Sequence, residues 1–241
     1  MKLKPTLKYQ LREILFSAAI FLLVNLLIVL IFFLLAWKFD PGHGYYSFNG
    51  FAIAAAVYAL VAGIMFPRQF LRTGVQMGTS RRTVFCGLLI TGFVVVLILA
   101  LCGEAGLAAS MYFSWNQFIF SDLYAMIYLD GIIDSHFAAI LFNTTLLLCG
   151  YGFGLFCTFY FWRLRNRGMF ITLLFCVAVP WLCFLLRHHL APVTRLLERL
   201  TLACLDSSVT AMLVFLILAV FFTVISWLLI RRLKIQGYGH S

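Results

Sequence analysis

Six stretches of this chain, near 14–36, 51–66, 84–103, 138–162, 169–186 and 209–230, are almost continuously apolar, and shorter polar or basic segments separate them. An α-helix rises about 1.5 Å per residue, so roughly 20 residues match the ~30 Å hydrocarbon core of a bilayer, and each stretch predicts a spanning helix. The second is the shortest. Ala55, Ala59 and Gly63 recur in it at four-residue spacing, and Gly150 and Gly154 do so in the fourth. Both patterns predict close approach of helix backbones in lipid. Pro180 falls inside the fifth stretch, where a missing N–H predicts a kink, static or gating.

Composition removes the alternative of a water-soluble domain. The chain has 241 residues, of which 64% are hydrophobic and 11% charged, and its mean hydropathy is +1.04. Such a chain reads as one all-α integral membrane domain over 1–241. The first apolar run is about 23 residues long, against roughly 7 to 15 for a signal-peptide core, and no small-residue cleavage site follows it. A retained span is therefore expected. Of the seven cysteines, Cys86, Cys149, Cys157, Cys176 and Cys183 lie inside apolar runs, where a thiol behaves as a small hydrophobe. Cys102 and Cys204 fall near one membrane face, where a disulfide or two unrelated thiols are both open readings.

Charge sets the expected orientation. Fourteen of the eighteen lysines and arginines cluster in alternate connections: Lys2, Lys4, Lys8 and Arg12; Arg68, Arg72, Arg81 and Arg82; Arg163, Arg165 and Arg167; Arg231, Arg232 and Lys234. The other connections hold seven of the eight acidic residues. By the positive-inside bias, six transmembrane helices and cytoplasmic N- and C-termini follow. This topology also accounts for the net charge of +10. The cations are spread over four membrane-flanking sites, so attraction to anionic headgroups, not nucleic-acid binding, is the expected consequence.

Two basic segments carry a further pattern. Leu3, Leu7, Leu11 and Ile14 share one helix face while Lys4, Lys8 and Arg12 take another, which predicts an amphipathic N-terminal helix over 3–13 on the inner surface. It reads as an elbow coupled to an attached motor or as an interfacial anchor. In the connection 68–85, Phe70, Leu71, Val75 and Met77 give an apolar side while Arg68, Arg72 and Gln76 face away. Gly78 is placed to end that helix, and Ser80 to cap the next. A short helix over 69–77 between two turn signals suits an element pressed into a partner's groove. An ordinary basic connection is the plainer reading.

The run 70–85, FLRTGVQMGTSRRTVF, resembles the cytoplasmic loop of ABC-2-type permeases, the membrane subunits of ABC exporters. There a short helix leads into a Gly-x-Ser-Arg-Arg/Lys-x-x-aromatic turn, matched by Gly78, Ser80, Arg81, Arg82 and Phe85. The resemblance implies a coupling helix between spans 2 and 3, with Gln69, Phe70, Arg72, Val75, Met77, Gly78, Ser80, Arg81 and Arg82 facing an ATPase. It also implies a second permease subunit, identical or homologous, and ATP and Mg bound by the partner ATPase subunits. The chain itself contains no G-x-x-x-x-G-K-[ST] phosphate loop, so no cofactor is expected in it. One departure stands against detailed transfer. The longest outer connection here, 104–137, follows the third span, whereas the best-known exporters of this class place theirs after the fifth.

The connection 104–137 is rich in aromatic and aliphatic residues, with Tyr112, Trp115, Tyr124 and Tyr128 suited to headgroup level. It reads as an aromatic belt or as a substrate lid carrying short helices. The connection 187–207 is amphipathic and matches the re-entrant helix that related exporters place before the last span. His188 and His189 are adjacent and point to different faces, a poor arrangement for a metal. Glu104 falls at the outer interface, and no charged residue is expected at the core of a span, which leaves Asn25, Thr91, Asn143 and Thr144 as the occasional polar lining of an otherwise apolar path. Such a path suits a lipid, a hydrophobic drug or an antimicrobial peptide. Two other readings remain: a non-transporting membrane partner or immunity protein, and a polytopic membrane enzyme built on Asp130 and Asp134.

Overall fold

The computed structural model describes the backbone of residues 3–39, 46–48, 50–112, 118–120, 136–185 and 207–232, with side chains on α4 described as far as Arg163. Among the described residues five helices make the bundle: α1 (Leu3–Phe39), α2 (Gly50–Gln76), α3 (Arg81–Tyr112), α4 (His136–Leu185) and α5 (Ser208–Arg232). Each contains a segment long and apolar enough to cross a membrane. This is the architecture of a multi-pass, all-helical membrane protein, and its outer faces remain apolar because lipid is their solvent. Leu26, Phe16 and Ile217 are among the large hydrophobic side chains left exposed.

Cross-helix contacts fix the course of each helix. Phe21 of α1 stacks on Tyr58 and lies beside Phe51, whereas Tyr9 meets Phe70 edge-on at 5.8 Å, so α1 and α2 are antiparallel. Gln10 of α1 donates to the Val84 carbonyl near the start of α3, which runs parallel to α1. The Tyr151 hydroxyl of α4 donates to the Leu88 carbonyl and Phe159 lies against Phe85, so α4 descends beside α3. Phe142 meets Phe215, and Phe153 meets Phe222 at 5.2 Å, which makes α5 parallel to α4. The core lies around α3, where Val84, Leu88 and Leu99 are fully enclosed together with Leu155 and Phe159 of α4.

The expected small-residue contact is present between α2 and α4. A Cβ on Gly63 would run into the Tyr151 carbonyl and lie 3.0 Å from the Gly154 Cα, and a Cβ on Gly154 would run into the Leu60 carbonyl. Only glycine lets the two backbones touch here. Pro67 lies inside α2 and has no N–H for the Gly63 carbonyl. The Thr158 hydroxyl of α4 stands 3.2 Å from that carbonyl and 2.9 Å from the Ile64 carbonyl, so a neighbouring helix replaces the donor that proline removes.

Four elements differ from the sequence expectation. The N-terminal segment 3–13 is no separate surface helix but the first part of α1, because Gln10 and Ile14 are buried against the bundle and hold it in line. The short helix expected over 69–77 is the last part of α2, which continues through Pro67 to Gln76. Helical backbone also continues across the break expected between 162 and 169. Lastly, the connections after α1 and α3 carry two short strands, β1 (Tyr46–Phe48) and β2 (Phe118–Phe120), paired in parallel with Ser47 opposite Ile119. The side chain of Pro180, the connection 187–206 with its histidines and Cys204, and Asp130 with Asp134 lie outside the described residues.

Candidate functional site

The joint between α2 and α3 is built from local chemistry. Gly78 adopts φ +70°, a left-handed conformation that glycine enters without steric cost. Its N–H bonds to the Val75 carbonyl at 3.0 Å, and the Thr79 N–H reaches back to the Gly74 carbonyl at 2.9 Å. This 6→1 and 5→2 pair is a Schellman ending, as Gly78 predicts. Ser80 then caps α3: its hydroxyl oxygen accepts from the Thr83 N–H at 3.2 Å, and its carbonyl accepts from the Val84 N–H. Four residues therefore reverse the chain. Gly74 has the Val84 side chain pressed against it, which lets the two helices meet immediately behind the turn.

The burial pattern of this hairpin divides the expected site residues. Pro67, Phe70, Leu71 and Gly74 form the inward face of α2. Phe70 is 1% exposed and packs on Tyr9 and Phe66, so it anchors the hairpin and presents nothing to a partner. The apolar side read from the sequence is thus split, with Phe70 and Leu71 internal and Val75 and Met77 outward. Gln69, Arg72, Val75, Met77, Gly78, Ser80 and Arg82 are exposed, and Arg81 is half-buried. Met77, at 59% exposure, is the prominent apolar side chain of the tip.

The same end of the bundle also carries exposed Lys4, Lys8, Arg12, Arg68, Arg163 and Arg231. Among the described residues there, Glu13 is the sole acid. The result is a broad positive surface with a narrow apolar tip, suited to anionic headgroups around its rim and to an acidic, partly apolar groove at its point.

Two further polar sites were not legible in advance. Gln10 is 1% exposed, donates to the Val84 carbonyl at 3.3 Å, and occupies the notch left by Gly87. Its Oε1 has no hydrogen-bond partner. The only signal was its place in the buried stripe Gln10, Ile14, Ala18, Asn25, because a glutamine among lysines otherwise reads as solvated. At the opposite end, Glu104 is buried and its Oε1 lies 2.5 Å from His136 Nδ1 on α4, while Oε2 has no partner. The sequence placed Glu104 at the interface but did not pair it.

The expected polar lining is not brought together. Asn25 donates to the Phe21 carbonyl, Thr91 to the Gly87 carbonyl and Thr144 to the Ile140 carbonyl, each within its own helix. Among the described residues no group of histidine, cysteine and acidic side chains is arranged to hold a metal.

The fold and its basic end define a class, the multi-pass helical membrane protein with a tightly closed hairpin at its positive face. Comparison with known proteins narrows that class no further: no family model, no curated protein and no solved structure matches the chain.

Proposed function

We propose that this chain is the membrane-spanning subunit of an ATP-driven exporter, similar to the ABC-2-type permeases, and that a separate ATPase docks on the α2/α3 hairpin tip. The observation that carries this reading is the tip itself. Phe70, Leu71 and Gly74 lock it to the bundle, while Arg72, Val75, Met77 and Arg82 stand outward. A force on the tip is therefore passed to α2, α3 and, through Tyr9 and Gln10, to α1. ATP-driven movement of the motor would tilt these helices as a body. The substrate class is hydrophobic or amphipathic: a lipid, drug or antimicrobial peptide. A second permease subunit completes the assembly in the bacterial cytoplasmic membrane.

Six crossings with cytoplasmic termini belong to this proposal. Support comes from the parallel packing of α5 on α4 between Phe142 and Phe153, an arrangement that suits a chain recrossing the membrane between them. A straight helix as long as α4, 50 residues, would measure about 75 Å, more than twice the hydrocarbon core. In this reading the apolar stretch 169–186 is the returning span, and the 50-residue run of α4 is two crossings joined by a reversal after Arg163 and not one straight rod.

The test is the pair Arg81→Glu and Arg82→Glu, with membrane orientation verified in the variant. Release of an ATPase that co-purifies with the parent, or loss of coupled export, is expected; unchanged assembly and export would refute the docking assignment. A second reading, a non-transporting membrane partner or immunity protein, is favoured by Asn25, Thr91 and Thr144, which bond within their own helices and do not converge on a path. Purification from native membranes with no nucleotide-binding subunit attached would select it.

A further inference from the structure

Helices α2 and α5 flank α4 without closing over it, and an open groove of about 410 Å³ lies along that face. Its walls are residues between 52 and 60 of α2 and Phe222 of α5, and its floor is α4 between 146 and 153, including Cys149 and Gly150. Every lining residue is aliphatic, aromatic, glycine or cysteine, so the weak Cys149 thiol is the one side-chain hydrogen-bonding group the groove offers.

Its length and depth identify the occupant. The α2 wall from 52 to 60 extends about 12 Å, close to the ~15 Å of one leaflet's hydrocarbon. The groove begins near the membrane end that carries Glu104 and His136, where Phe51 packs beside Gly103. It stops where Gly63 and Gly154 bring the backbones of α2 and α4 into contact. A transmembrane helix needs a seat running through both leaflets, whereas a chain hanging from one headgroup needs only this much.

We infer that the groove is a binding site for one hydrocarbon chain, an acyl chain of a phospholipid in the leaflet opposite the basic end. Within a bilayer there is no hydrophobic gain in covering apolar surface, so the preference arises from van der Waals contact on three sides, which a flat helix face does not offer. The site stands independently of the exporter proposal, since any protein with this bundle would hold the chain.

The experiment places the protein in phosphatidylcholine nanodiscs containing a small fraction of phosphatidylcholine with a diazirine on one acyl chain, followed by photolysis and mass mapping. Adducts should concentrate on 52–60 and 146–153. A Cβ at Gly150 meets only the Ala56 carbonyl, at 3.5 Å, so a larger side chain there enters the groove without prising the helices apart. Gly150→Leu should lower labelling of those segments about tenfold, the effect of displacing ten or so atom contacts, and leave adducts elsewhere unchanged. The inference is overturned if wild-type adducts spread evenly over exposed faces such as those of Leu23 and Leu213. Thiol crosslinking in the same nanodiscs gives two more refutations: Cys149 joined to Cys149 of a second copy, or Cys149 joined to Cys176 of the same chain. The wild-type map decides the matter even if the leucine variant does not fold.

Discussion

Replacing Thr158 by valine removes one hydroxyl and almost no volume, and it tests how α2 tolerates a proline. The hydroxyl proton is shared among the carbonyls of Gly63, Ile64 and Gly154, at 3.2, 2.9 and 3.1 Å. The Gly154 carbonyl belongs to Thr158's own helix and keeps its place in that ladder. The Gly63 carbonyl would lie opposite the missing N–H of Pro67, so Thr158→Val leaves it buried without a donor. An unsatisfied buried acceptor costs about 1 to 3 kcal/mol, and hydrogen bonds between membrane helices average ~0.6 and reach ~1.7 kcal/mol. A loss of about 1 kcal/mol is expected. In a Pro67→Ala background the alanine N–H serves Gly63, so the same substitution should cost only a few tenths. The assay is reversible unfolding by SDS in mixed micelles, read by circular dichroism, on the four proteins of the cycle. A coupling energy within about 0.3 kcal/mol of zero would refute the repair of Pro67 by Thr158.

Other perturbations follow from the same contacts. Gly63→Ala should destabilise by about 2 kcal/mol, because its Cβ strikes backbone of α4, whereas Gly150→Ala should be close to neutral; equal unfolding free energies for the two would remove the Gly63/Gly154 crossing from the argument. Gly87→Ala drives a methyl into the Gln10 amide. It should be roughly 0.5 to 1 kcal/mol better tolerated in a Gln10→Ala background, where helix propensity alone acts, and identical effects in both backgrounds would dismiss the notch. His136→Ala takes the partner from buried Glu104 and should cost about 1 to 2 kcal/mol, less than a fully buried pair because His136 remains half in solvent. Adding Glu104→Leu should restore thermal stability; if it does not, the carboxylate was not the strained group.

The local ends of the hairpin were legible because they depend on neighbours in the chain. Gly78 is the residue that can turn left-handed after a helix, and Ser80 is a donor-satisfying cap three positions before Thr83. The close helix approach was legible from Gly63 and Gly154, although which glycine meets which was not. Membrane spanning was legible from hydropathy, since a chain that is 64% hydrophobic has no way to hide in water.

Other features depended on what lies across the bundle. Helical periodicity shows that residues 69–77 have two faces, but an apolar face can turn toward a partner or toward its own protein. Tyr9, Phe66 and Val84 settled it by covering Phe70 and Gly74, and so left outward only Val75 and Met77 of that apolar face, among the basic residues of the tip. Likewise Gln10, Thr158 and Glu104 are ordinary polar residues in the sequence. Each acquires its role only where a helix distant in the chain leaves a notch, a carbonyl without a donor or an imidazole beside it. Hydropathy and bonds within a few residues were enough to read the membrane class, the presence of apolar spanning helices and the turn chemistry at Gly78 and Ser80 from the chain itself. Tertiary structure alone decided which faces are inward and which polar groups pair, because burial and hydrogen bonding between helices depend on contacts that no local pattern encodes.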